Sequence, residues 1–327
     1  MKALLTLALL IAAPSAAANL PPSEQRRVAR ATADLIEQRY VDPEKGKAIA
    51  TALRAESWRL PSEPGDFAKQ LTGWLRARSG DGHFAVDYSA KALTESSGES
   101  EFSKAEMERY YGAHLNHGVE KVERLEGNVM LLDLRVFPPP AMGGDVISSA
   151  MTLVAQGDAL IIDLRKNGGG METANLLMSY LLPPGTEVSG MFNRPTGKQT
   201  RSTTQKWVPG RRFGSEKPVY ILTSKRTFSA AEAVAYDLQA AKRATVVGEV
   251  TGGGANPFEY RRIDQHFALS LPEARSINPI TGTNWQDIGV RPDVAVPADQ
   301  ALETALSLAR AAIKGRSAGG SDPRSLP

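Results

Sequence analysis

The chain has no cysteine among its 327 residues, which excludes disulfides and thiolate metal sites. Histidine is nearly as scarce. There are four, His83, His114, His117 and His266, so any chemistry that needs an imidazole must draw on these. An excess of one charge is missing too: 39 basic residues against 36 acidic ones leave +3, or +2 once Lys2 is set aside. No dense basic stripe interleaves with aromatics, which argues against nucleic-acid binding. Beyond the first 13 residues no stretch is apolar enough to cross a bilayer, so no membrane span is expected there.

Those first residues have their own pattern. Met1-Lys2 precedes an apolar run, Ala3 to Ala13, and then Pro14-Ser15-Ala16-Ala17-Ala18. A single cation, a short apolar run and a small-x-small ending predict a signal peptide over 1–18, cut between Ala18 and Asn19. The run is too short for a membrane span, and without a cysteine it offers no lipoprotein anchor. The expected location is therefore periplasmic or secreted. The alternative is an N-terminal core helix.

The rest divides in two. Residues 19–90 read as a small helical domain. Ser23 looks like an N-cap ahead of Val28, Ala31, Leu35 and Ile36 at helical spacing, and Asp42-Pro43 breaks that helix. Two further helices follow, near Lys45 to Arg59 and Asp66 to Arg78. The polar stretch Thr94 to Ser103 reads as a linker. From 104 to 312, strand-like runs (Val129 to Leu134, Ala159 to Leu164, Val219 to Leu222, Ala244 to Val247) alternate with helix-like ones (Asp145 to Ala155, Glu172 to Leu182, Ala230 to Lys242). That alternation predicts an α/β layered domain. Residues 313–327 are expected to be disordered.

Two motifs could carry chemistry. Thr223-Ser224-Lys225-Arg226-Thr227-Phe228-Ser229-Ala230-Ala231-Glu232 joins a strand to a helix. A serine at that junction is an N-cap by default. It is also where free helix N–H groups can stabilise an oxyanion. Asp163-Leu164-Arg165-Lys166-Asn167-Gly168-Gly169-Gly170 likewise leaves a strand. Its glycines suit a plain turn, or backbone donors at Gly168 or Gly169 that pair with the N–H of Ala230. A phosphate loop is disfavoured, because no Gly-Lys-Ser/Thr follows. A serine nucleophile needs a base. His83, in Ser79-Gly80-Asp81-Gly82-His83, lies in a Gly-rich loop at the domain junction. His114 and His117 lie in a polar stretch with no third metal ligand in view. His266 reads as a strand-surface residue.

These pieces, with Asn116 to Leu125, Arg243 to Glu249, Thr251 to Ala255 and Gly289 to Asp293, occur in one order along the chain. That order resembles the tail-specific (C-terminal processing) serine peptidases. The branch most like this chain holds the tricorn core protease and the repeats of interphotoreceptor retinoid-binding protein. The resemblance implies a crotonase/ClpP-like α/β catalytic domain, a polypeptide substrate and no cofactor. It implies Ser229 as nucleophile, Gly168, Gly169 and Ala230 around the oxyanion, and His83 as base. The position of the lysine base used in the tail-specific branch falls at Gly254. A glutamate of the tricorn-like branch is replaced by Gln286, next to Asp287, and a serine before the histidine is replaced by Gly82. Asp81 offers itself as support for His83. The segment between His83 and Val129 is too short for a PDZ-like domain. A catalytically silent binding protein for an apolar ligand or peptide is the other reading. It would show a large apolar pocket with Ser229 unpaired.

Overall fold

The computed structural model describes residues 19–58, 62–93 and 104–319. The expected signal peptide, the polar stretch 94–103 and residues 320–327 lie outside the described residues.

Proline opens the first three helices, α1 (Pro22–Arg39), α2 (Pro43–Ala55) and α3 (Pro64–Ser79). The first turn of a helix needs no amide N–H and suits the fixed φ of proline. The first helix therefore begins on Pro22 rather than behind a Ser23 cap. Asp42 caps α2 by accepting the N–H of Lys45 at 3.0 Å. Gly80 ends α3 in the left-handed region, at φ +70. That turn delivers Asp81-Gly82-His83 to β1 (Ala85–Tyr88).

The chain continues through α4 (Lys104–Tyr111), a 3-10 turn (Ala113–Gly118), β2 (Val119–Leu125), β3 (Val129–Leu134), α5 (Pro140–Val154), β4 (Ala159–Asp163) and α6 (Thr173–Ser179). Next come β5 (Glu187–Asn193), β6 (Lys198–Thr203), β7 (Val219–Thr223), α7 (Ala230–Ala240) and β8 (Thr245–Gly248). The last elements are β9 (Phe258–Arg262), β10 (Phe267–Pro272), β11 (Ala274–Ile277), β12 (Val294–Ala295) and α8 (Ala301–Gly319). Six strands form one sheet in the order β12-β8-β7-β4-β3-β2, parallel except for the β2–β3 pair. β4 and β7 are buried at every residue, as expected of central parallel strands covered on both faces. Alternate residues face opposite layers. Leu160, Ile162 and Ile221 pack with α5, α6 and α7. Leu131, Ile161 and Leu222 meet Ala301, Ala305 and Ala309 of α8, whose methyl side chains let that helix lie close to the sheet. α8 passes the expected end of order at Ala312 because Ile313 still packs on this layer.

The helical region is not self-contained. β1 pairs with β10, and the core of α1–α3 includes Phe267, Leu269 and Leu271 from β10. Three short helices cannot enclose Phe67, Leu71 and Leu75 alone, so a distant strand completes the layer. Glu273, fully buried after β10, clamps this arrangement. It accepts from Arg39 at 2.5 and 3.0 Å and from Arg261 at 2.7 and 2.8 Å. Burial alone would raise its pKa, but the two guanidiniums outweigh burial and hold it below the usual carboxylate range.

Removing that carboxylate strands two cations. Glu273→Ala should cost about 2–3 kcal/mol in urea unfolding, toward the low side for buried pairs because Arg39 is 33% exposed. With the native pKa depressed, this contribution is complete above the ordinary carboxylate range and fades as pH falls below it. The gap between wild type and variant should therefore shrink in acid. An undiminished gap there would refute the ionic account.

Candidate active site

β4 and β7 are parallel neighbours, with Asp163 level with Leu222, so the loops that leave them lie side by side. Their residues are stitched together. Thr227 Oγ1 donates to the Leu164 carbonyl (2.8 Å), Ser224 Oγ to the Arg165 carbonyl (2.6 Å) and the Phe228 N–H to the Asn167 carbonyl (3.1 Å). Arg165 holds Asp163 through both carboxylate oxygens and reaches the Ala298 carbonyl at 2.6 Å.

Ser229 sits where β7 has turned into α7, at φ 55, ψ −122. A non-glycine residue there is strained, and the surroundings must enforce it. Glu232, one turn on and fully buried, does so. Its carboxylate accepts the N–H of Ser229 (2.8 Å), the hydroxyl of Thr251 (2.5 Å) and the N–H groups of Gly253 (2.7 Å) and Gly254 (2.8 Å). Burial raises its pKa, and these donors offset only part of the shift. Glu232 was not among the sequence candidates, although its place three residues after Ser229 is that of a capping box.

The Ser229 hydroxyl faces His83. The Nε2–Oγ distance is 3.1 Å, although the two residues are 146 positions apart. For Nε2 to accept the serine proton, Nδ1 must carry the ring hydrogen. Asp81 lies on that side, with Oδ1 3.4 Å from Nδ1, too poorly aligned for a hydrogen bond but close enough to act electrostatically. Asp81 is fully buried and accepts from the His83 N–H (3.0 Å), the Asn256 amide (3.0 Å) and, loosely, the Tyr40 hydroxyl (3.4 Å). Burial pushes its carboxyl up; His83 and Asn256 more than offset that and hold it below its ordinary value. The Phe228 ring lies 4.7 Å from the imidazole. It fills the space beside Gly82, where a Cβ would come within 3.0 Å of it. A side chain before His83 therefore has little room, and Asp81, held by Asn256, stands on the Nδ1 side of the imidazole.

Gly254 is equally constrained. A Cβ there would sit 2.2 Å from Phe228 Cζ and 2.9 Å from His83 Cε1. The volume through which a lysine at 254 would leave the backbone belongs to the imidazole and to Phe228.

The amides differ in availability. The Gly169 N–H donates to Asn167 Oδ1 at 2.8 Å, so it is engaged. Ala230 N lies 3.0 Å from where a Gly169 Cβ would be, at the open N-terminus of α7. Gly168 has open space within 4 Å of its Cβ direction. Gln286 and Asp287 direct their side chains to other partners than Ser229 and His83. Gln286 Oε1 accepts the Ala255 N–H (2.7 Å) and its Nε2 donates to Asp287 Oδ1 (2.8 Å); Asp287 also meets Lys45 at 3.2 Å. His114 is exposed, His117 bonds to the Tyr111 carbonyl and His266 to the Ser89 carbonyl. No cluster of metal-ligating residues exists among the described residues.

Known proteins resemble parts of this chain in sequence and fold. Residues 139–296 match the model of peptidase family S41, a span that holds Ser229 but not His83. A carboxy-terminal-processing protease of Bartonella bacilliformis is 30% identical over 53% of this chain and 40% of its own length. A carboxyl-terminal-processing protease of Synechocystis is 26% identical over 46% of this chain and 36% of its own. The chain thus matches well under half the length of either relative. The photosystem II D1 C-terminal processing protease has the same fold, with TM-score 0.51 at 16% identity over 91% of this chain and 98% of that one. The resemblance to the tail-specific peptidases therefore holds in both sequence and fold.

Gly254→Ala should displace the imidazole and slow covalent labelling of Ser229 by a fluorophosphonate about a hundredfold, since sub-ångström to ångström misplacement costs that much. Thermal unfolding of the same variant locates the effect. Labelling at the wild-type rate in a folded Gly254→Ala protein contradicts the steric argument.

Proposed function

We propose that this chain is an exported serine peptidase of the tail-specific type, which cleaves polypeptides through an acyl-enzyme on Ser229. The observation that carries the reading is the 3.1 Å contact between His83 Nε2 and Ser229 Oγ, backed by buried Asp81. His83 takes the hydroxyl proton as Oγ attacks the peptide carbonyl, and the carbonyl oxygen gains the negative charge. The N–H groups of Ala230 and Gly168 receive that oxyanion, Gly169 being engaged by Asn167. The tetrahedral intermediate collapses, the C–N bond breaks and His83 gives its proton to the departing amine. A water deprotonated by His83 then releases the acid. Asp81, ionised at neutral pH, stabilises the imidazolium in each half-reaction. Gln286 and Asp287 contribute indirectly, by fixing the backbone at Ala255 beside Gly254.

The binding-protein reading calls for a large apolar pocket and an unpaired Ser229. Two surface cavities, of about 430 Å³ near Val122, Met130 and Leu153 and about 300 Å³ near Tyr220, Lys242 and Asp293, are lined by neither Ser229 nor His83. No helix among the described residues is long and apolar enough to cross a membrane.

The first test is fluorophosphonate labelling of wild type, Ser229→Ala and His83→Ala. Labelling should vanish in Ser229→Ala and fall by about 10²-fold or more in His83→Ala, the scale of general-base catalysis. A folded wild-type protein that takes no label would return the chain to the binding class.

A further inference from the structure

We propose that Phe258 forms the contact surface for the substrate residue immediately after the scissile bond, and that the enzyme selects an apolar side chain there. This rests on the peptidase reading above. His83 must hand its proton to the departing amine, so the departing half of the peptide runs past the imidazole. Two rings flank that imidazole, Phe228 at 4.7 Å and Phe258 at 6.0 Å between centroids. Phe228 is half-buried and hemmed by backbone on several sides, since Cβ atoms at Gly82, Gly252 and Gly254 would lie 3.0, 2.8 and 2.2 Å from its ring. Phe258 is open, with 36% of its surface exposed.

A single exposed phenylalanine is ordinary on a protein surface. This one is fixed in place and direction. It is the first residue of β9, an edge strand of the sheet β1-β10-β9, and the Asn256 amide two residues earlier is pinned to Asp81. Alternation along the strand turns Glu259 to the opposite face and brings Tyr260 to the same face as Phe258. Tyr260 directs its hydroxyl to Asp87 at 3.3 Å and Arg262 follows two residues further on the same face, so the strand offers aromatic surface at Phe258 and Tyr260 that gives way to charge beyond them. A leucine, methionine or phenylalanine laid on Phe258 removes apolar area from water on both partners. Glycine gains nothing there, and aspartate loses hydration.

The test is digestion of a mixed-sequence peptide library by the full chain, with cleaved bonds mapped by mass spectrometry. Wild type should show about tenfold enrichment of large apolar residues over glycine and aspartate at the position after the cleaved bond, the scale of one apolar subsite. Phe258→Ala should flatten that ratio and Phe258→Leu should keep most of it. A purely structural role in supporting His83 would lower all cleavages together and leave the ratio intact. Cleavage without the enrichment, or with an enrichment that survives Phe258→Ala, overturns this inference and leaves the peptidase reading standing. No cleavage of any library member overturns both.

Discussion

The site depends on one buried carboxylate. Glu232 accepts four hydrogen bonds, one from the amide of Ser229 and the others from Thr251, Gly253 and Gly254. A carboxylate out of water is tolerated only when its oxygens are satisfied, so the polar contacts cannot be given up one at a time. Two consequences follow from the same bonds. Ser229 is held at φ 55, which an L-residue adopts only under constraint. The loop 251–254 is drawn against α7, which places Gly254 beside the imidazole.

The second dependence is between regions. His83 comes from the end of the helical region and Ser229 from the α/β layers. Their contact exists only while the two are docked. Docking is enforced by apolar packing of β10 under α1–α3, by Arg39 of α1 on Glu273, and by Asn256 on Asp81. The β10, Arg39–Glu273 and Asn256–Asp81 links each join residues far apart in sequence, so the His83–Ser229 contact rests on long-range structure that also completes the helical core.

This explains what the sequence could and could not reveal. The junction at Ser229 was legible because a strand, a turn and an Ala-rich helix announce themselves locally. The α/β layering was legible because β4 and β7 are continuous apolar runs between helix-like stretches. The helical boundary at residue 90 was not, since its missing layer lies near Phe267. β5 and β6 were also hidden: Lys198 to Thr203 is a mostly exposed, polar strand without alternation. Gln286 and Asp287 were drawn to the site by the resemblance, yet their side chains hold Ala255 and Lys45. Glu232 and Asn256 were overlooked because a lone acid or amide carries no signal until its partners are brought near.

The departures from the tricorn-like pattern then become one adjustment rather than several losses. Gly82 has no hydroxyl to offer, but its bareness admits the Phe228 ring, which packs on the imidazole. Gly254 has no side chain for the same reason. Gln286 brings no charge, but Asp81 lies 3.4 Å from Nδ1, and its pKa is held below the ordinary value by the groups that orient it. A carboxylate ionised throughout the neutral range meets the electrostatic need of an imidazolium. The carboxylate beside His83 thus comes from the histidine's own loop, two residues away, while Gln286 in the turn before β12 bonds to Ala255.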